Sequence, residues 1–139
     1  MSVNITNGNI PALASATSAN GTARNGATFA TNSADIGTIA VMCTASITTS
    51  SVLATFKVQS STDNTTWFDV VGLTTATDAG TGSPVTTTRV IIVPIACASM
   101  KSIRVVATLS GAATGVADVT SAVYQFVPFG GLFSKSVPT

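Results

Sequence analysis

Asp35, Asp63, Asp69, Asp78 and Asp118 are the five carboxylate side chains of this 139-residue chain, and neither glutamate nor histidine accompanies them. Each stands alone in the sequence, so the paired carboxylates of a glycosidase would have to converge from distant segments. Without histidine the commonest general base is missing, and with it the Ser-His-Asp and Cys-His arrangements and ordinary catalytic zinc sites. Calcium calls for several acidic oxygens in one short loop. Asp63-Asn64 with Asp69 comes nearest. A plain hairpin turn accounts for these residues better, because Asx side chains hydrogen-bond their own backbone. No phosphate-cradling loop or dinucleotide fingerprint is present. The expectation is a protein with no catalytic residue, no metal and no cofactor.

Other residues invite chemistry and have plainer readings. Trp67, the single tryptophan, and Tyr124 would together make a sugar-stacking platform, but aromatic residues are only 6% of the chain. Trp67, opening a strand beside Phe68, reads better as packing at the end of a sandwich. Cys43 and Cys97 lie in apolar, strand-like segments. They are expected to be buried free thiols of a protein made in a reducing cytoplasm, with a disulfide across facing strands as the alternative. Asn4-Ile-Thr6, Asn20-Gly-Thr22 and Asn64-Thr-Thr66 match the glycosylation acceptor pattern. Met1-Ser-Val-Asn4 shows no secretory signal, and chance accounts for the matches. Gly111 and Gly115 imitate a membrane dimerisation spacing inside what reads as a turn.

Charged residues are 8% of the chain, against roughly 25% in ordinary soluble domains. The six basic side chains are scattered singly, so no run exists to release counterions from a phosphate backbone, and no nucleic-acid partner is expected. The mean hydropathy is +0.52. Even so, the longest apolar run, Val90 to Ala98, is broken by Pro94 and falls short of the ~20 residues of a membrane span. Thr and Ser do the solvating that Lys and Glu usually do. So little charge leaves copies of the chain free to associate, and much of the surface is expected to lie against other protein.

The elements that must position these residues are strands. Val52, Ala54, Phe56 and Val58 alternate with Leu53, Thr55, Lys57 and Gln59, the two-residue period of a half-buried strand. Polar residues from Ser60 to Thr66 turn the chain, and a second strand from Trp67 to Val71 completes a long hairpin. Further strands are expected at Ala27 to Thr31, Thr38 to Ile47, Arg89 to Val93, Ser102 to Leu109 and Val116 to Val127. The last two are read as a second hairpin through Ser110–Gly115, and Thr74 to Pro84 as a loop. On the final strand Ala122, Tyr124 and Phe126 share one face, and Val119, Val123 and Val127 the other. A strand apolar on both faces is central or covered by a partner. The predicted fold is all-β, an antiparallel two-sheet sandwich or jelly roll with extended N- and C-terminal segments. Its predicted parts are residues 1–25, an extended segment with short strands around Val3–Ile5 and Pro11–Ala16; residues 26–127, the sandwich; and residues 128–139, a tail. Phe129, Leu132 and Phe133 sit on that tail around Gly130-Gly131, each worth roughly 1.5–3 kcal/mol when buried. They either fold back under the domain or anchor in a neighbouring subunit. The sheet faces around Val106 and Val119 are the alternative interface.

The stretch from Gln59 through Ser61 and Asp63 to Trp67, followed by Ile103-Arg-Val-Val-Ala-Thr-Leu-Ser-Gly111, resembles small all-β virion proteins of tailed bacteriophages. It is also distantly similar to discoidin-like jelly-roll modules. The resemblance spans roughly residues 52–127. It implies a virion component made in the bacterial cytoplasm and used without catalysis. The expectation that follows is a capsid decoration or cement protein. It would bind the major capsid protein on the outside of a phage head as a homo-oligomer, a trimer, and bridge capsomers. A neck, tail or baseplate adaptor and a carbohydrate-binding module are the rival readings.

Overall fold

The computed structural model describes residues 10–17, 22–30, 37–48, 52–77, 85–94, 101–110 and 119–128. They form nine strands: β1 (Ile10–Thr17), β2 (Ala23–Asn25), β3 (Phe29–Ala30), β4 (Gly37–Ile47), β5 (Leu53–Ser61), β6 (Phe68–Ala76), β7 (Val85–Pro94), β8 (Ser102–Ser110) and β9 (Val119–Pro128). Alternation decides which side of each strand is buried. Ile39, Val41, Cys43, Ala45 and Ile47 of β4 point inward, as do Ala54, Phe56 and Val58 of β5, and all are at most 1% exposed. Ile103, Val105, Ala107 and Leu109 of β8 meet Ala122 and Tyr124 of β9 in the same core.

Pairing is nested. β1 pairs with β9, β2 and β3 with β8, β4 with β7, and β5 with β6, every pair antiparallel. The chain is in effect one long hairpin whose tip is the turn after Ser61. Rolling it up brings β4 against β9 and β5 against β8, which gives one sheet of order β1-β9-β4-β7 and another of order β2-β8-β5-β6, with β3 beside β8. Two sheets so connected make a jelly roll, as the alternation leads one to expect.

Several details depart from the sequence reading. The sandwich begins well before residue 26, because β1 forms one edge of the first sheet and β2 lies on β8. The short strand expected around Pro11–Ala16 is β1, though it buries Ala12 and Leu13 and little else among its described side chains, and two register shifts break its period. β8 and β9 are not a hairpin: they lie in opposite sheets and face each other across the core. Each is flanked on both sides by other strands, so neither has an edge left for the other. β6 runs on through Thr74–Ala76, past a bulge where Lys57 pairs with Thr74 but Gln59 with Asp69. Gly72 in that bulge has φ 83°, a conformation glycine adopts at no steric cost, and Val71 beside it is 97% exposed. Cys43 is a free thiol in the core, pushed up to about 12 by burial, and behaves there as a small apolar side chain. Cys97, residues 1–9 with the strand expected at Val3–Ile5, and residues 129–139 lie outside the described residues.

The two sheets are tied where the edge beside β8 is broken. Between β2 and β3 the backbone leaves the ladder, so Val105 has no strand partner on that side. The Tyr124 hydroxyl fills the gap, accepting from Val105 N–H at 3.1 Å and donating to the Ala27 carbonyl at 2.8 Å. Gly26 N–H reaches the Val105 carbonyl at 2.8 Å, and Ala27 N–H the Ala12 carbonyl at 2.7 Å. A Cβ at Gly26 would collide with the Ala12 carbonyl oxygen and lie 2.9 Å from Val105 Cγ1, so the crossing needs glycine. Arg24 closes the same seam further out. Its guanidinium donates to the carbonyls of Ala14, Ala16 and Thr120 at 2.6–3.0 Å, groups that the irregular β1 would leave bare.

Tyr124→Phe strips one partner each from a buried N–H and a carbonyl, and Gly26→Ala forces the crossing apart. Each should lower stability by roughly 1–3 kcal/mol. Urea unfolding checks this, with lower midpoints and unchanged slopes. Because both changes meet at Val105, the double variant should lose less than the sum.

Candidate functional site

The outer face of the β2-β8-β5-β6 sheet carries a linked polar row. Arg104 of β8 lies opposite Gln59 of β5, which lies opposite Asp69 of β6. Arg104 Nε donates to Gln59 Oε1 at 2.9 Å, Gln59 Nε2 donates to Asp69 Oδ1 at 2.8 Å, and Lys57 Nζ donates to Asp69 Oδ2 at 3.0 Å. The Arg104 guanidinium also covers the Trp67 ring at 4.3 Å from its centroid, a cation–π contact. Gln59 first, and Lys57 second, hold the Asp69 carboxyl below its usual range, so it stays an acceptor and not a proton donor. The Lys57–Asp69 pair is largely in water and adds little stability.

Asp63 belongs to a separate set, the turn at the tip of the long hairpin. Its Oδ1 accepts from Thr66 N–H at 2.7 Å, Thr65 N–H at 2.8 Å and the Ser61 hydroxyl at 3.0 Å. Ser61 Oγ accepts in turn from the N–H groups of Asp63 and Asn64, and Asn64 takes the left-handed conformation at φ 63°. The backbone donors of Thr66 and Thr65 hold the Asp63 carboxyl well below the ordinary carboxylate range. One oxygen thus builds the turn. Among the described residues no three His, Cys, Asp or Glu side chains gather as metal ligands. Asp35, Asp78 and Asp118 lie outside those residues. Trp67 and Tyr124 do not share a surface, since Tyr124 is 1% exposed in the core and its ring meets Phe29 at 5.4 Å.

The outer face of the β1-β9-β4-β7 sheet has a different character. Met42 lies between Val90 of β7 and Val123 of β9, and Ala40 between Ile92 and Gln125. Next along the strands come hydroxyls, with Thr44 Oγ1 3.3 Å from Thr88 Oγ1 and Thr86 donating to Ser46 Oγ at 3.4 Å. Val90 and Ile92 are 53% and 51% exposed. No charged residue among those described stands on this face. Lys57, Asp63, Asp69, Lys101 and Arg104 all belong to the other sheet or its turns, and Arg24 is occupied at the seam. Arg89 alternates with Val90 on β7 and turns the other way, its Nε reaching the Ala76 carbonyl of the opposite sheet at 3.3 Å.

Of the residues expected at an interface, Val119 lies half-buried on this uncharged face, opposite Ser46 and Thr17. Val106 is 2% exposed between Lys57 and Asn25, so it presents no surface for a neighbour to cover. Phe129, Leu132 and Phe133 lie outside the described residues. Sequence reasoning passed over Met42, Val90 and Ile92. The signal was the uncharged alternation Thr86, Thr88, Val90, Ile92, which the apolar run from Arg89 obscured. No protein-family model, curated protein or solved structure matches this chain.

The turn gives a pH expectation. Asp63 is depressed in the folded state, so its contribution is complete above the unfolded value of ~3.9 and is lost as pH falls through the lower folded value. Carboxyl-selective NMR should find Asp63 still ionised where an ordinary aspartate is half protonated. Titration of Asp63 at the ordinary value would show that the turn does not hold its carboxylate.

Proposed function

We propose that this protein is a non-catalytic assembly protein of a tailed-phage particle, a decoration protein that lays the uncharged outer face of its β1-β9-β4-β7 sheet against neighbouring shell subunits. The observation that carries this reading is the segregation of charge. A chain with so few charged side chains places those described on one sheet, on its turns and at the seams, and leaves the other four-stranded face to Ala40, Met42, Val90, Ile92, Val123 and hydroxyls. Such a face loses little by desolvation, whereas a buried unpaired charge costs several kcal/mol. The phage resemblance of Gln59–Trp67 and Ile103–Gly111 supplies the particle, the major capsid protein as partner and the bacterial cytoplasm as the place of synthesis. The mechanism is mechanical: subunits bridging a seam add contacts that internal pressure must break before the shell opens.

Cosedimentation with heads lacking the protein tests it. Met42→Glu puts a charge at the centre of the face and should weaken binding by at least ~100-fold, the effect of ~3 kcal/mol. Asp69→Ala on the opposite face should leave binding unchanged. The reverse pattern would move the interface to the Trp67–Arg104 row, and no binding by the wild-type chain would remove the decoration reading altogether.

A further inference from the structure

A sandwich of this kind has four strand edges, and three of them are built so that another strand cannot add to them. β1 carries Pro11 and two register shifts, and the opposite sheet's edge there is split into β2 and β3, of three and two residues. β6 is broken by the bulge at Gly72. Bulges, short strands and proline are the usual protections of an exposed edge. β7 has none of them along its length. It runs ten residues, in unbroken register with β4 from Thr38 opposite Pro94 to Ile47 opposite Val85, and proline comes only at its last position. Among the described residues β4 is its sole strand partner. Its one charge, Arg89, points away from the outer face.

We infer that β7 is an intermolecular edge, and that its partner is β7 of a second copy of this chain in antiparallel, two-fold pairing. The inference stands whatever particle the protein belongs to. Residues opposite each other in a sheet point to the same face, so the two-fold axis must pass through a residue position. An axis through Arg89 would set two guanidinium groups opposite each other, a repulsive pair. An axis through Val90 avoids this and pairs Thr88 with Ile92 and Thr86 with Pro94. It also makes one apolar row across both copies: Val123, Met42 and Val90, then the second copy's Val90, Met42 and Val123. Nine paired residues span roughly 30 Å, and the side wall of two sheets spaced ~10 Å apart is about 20 Å high. The contact is then on the order of 600 Å² per copy, enough for a standard though small interface. Such an edge closes on itself as a two-fold pair, in place of the trimer expected from the sequence.

Light scattering on the purified full chain reads the mass directly. The expected value is twice the 13.9 kDa of one chain, falling to one chain in Val90→Lys with an unchanged circular dichroism spectrum. In a Cys97→Ser background, Val90→Cys should oxidise to a covalent pair, whereas Ile92→Cys, on opposite sides of the axis, should not. Any other wild-type mass, an unchanged mass in Val90→Lys, or cross-linking through Ile92→Cys but not Val90→Cys overturns the pairing. A single-chain protein that still binds heads would remove this inference and leave the decoration role standing. A two-fold pair that ignores heads would do the opposite.

Discussion

The Tyr124 hydroxyl is the contact on which the two-sheet arrangement depends. It starts from β9 in one sheet and ends on the backbone of β8 and of the β2–β3 crossing in the other. The break between β2 and β3 would leave Val105 N–H buried and unpaired, at roughly 1–3 kcal/mol. Tyrosine spans the core, fills that break and leaves its ring to pack on Phe29. Burial raises the hydroxyl's pKa, and it remains a neutral donor and acceptor at any physiological pH. Arg24 and Gly26 work on the same side of the molecule, so the seam between β1 and β2 is held by hydrogen bonds where few apolar side chains are available.

That seam has a consequence for the surface. With Arg24 and Arg89 spanning from sheet to sheet at the sides, and Lys57, Asp69 and Arg104 linked in one row, no charged group among the described residues is left to solvate the remaining face. Hydroxyls and aliphatic side chains cover it instead. In water such a face is tolerated in the monomer, because threonine and serine keep it hydrated. Against another protein it can be buried with little loss. The proposed assembly role rests on that difference between the two faces, and β7, at the border of the uncharged one, is the edge that among the described residues carries no bulge, split or internal proline.

Much of this was legible in the sequence. The inward positions of β4, β5, β8 and β9 recur every second residue, because each of these strands is central and has one face in the core. The tip of the long hairpin was also readable, since Ser61, Asp63 and Asn64 are the residues such a turn requires. What stayed hidden has physical reasons. β2 is an edge piece that buries little, and the seam it makes with β1 is built by backbone groups and one arginine, which leave no periodic trace. The Ser110–Gly115 stretch reads as a hairpin turn by composition, and only the strand order shows that β8 and β9 lie in opposite sheets. Val106 looks like an outward valine, and only the packed structure shows it covered. For the function the limit is sharper, since an uncharged face is a property of strand order, and Met42, Val90 and Val123 become neighbours only when three strands align.

The central claim is that the uncharged face of the β1-β9-β4-β7 sheet is the one buried in the assembled particle. An image reconstruction of the intact particle, at a resolution that separates the two sheets, tests it most directly. The expected result is many copies on the head, with Met42 and Val123 against neighbouring protein and the Trp67–Arg104 row facing solvent. A map with that orientation reversed, or with the protein confined to a ring at the neck or tail, would contradict the account.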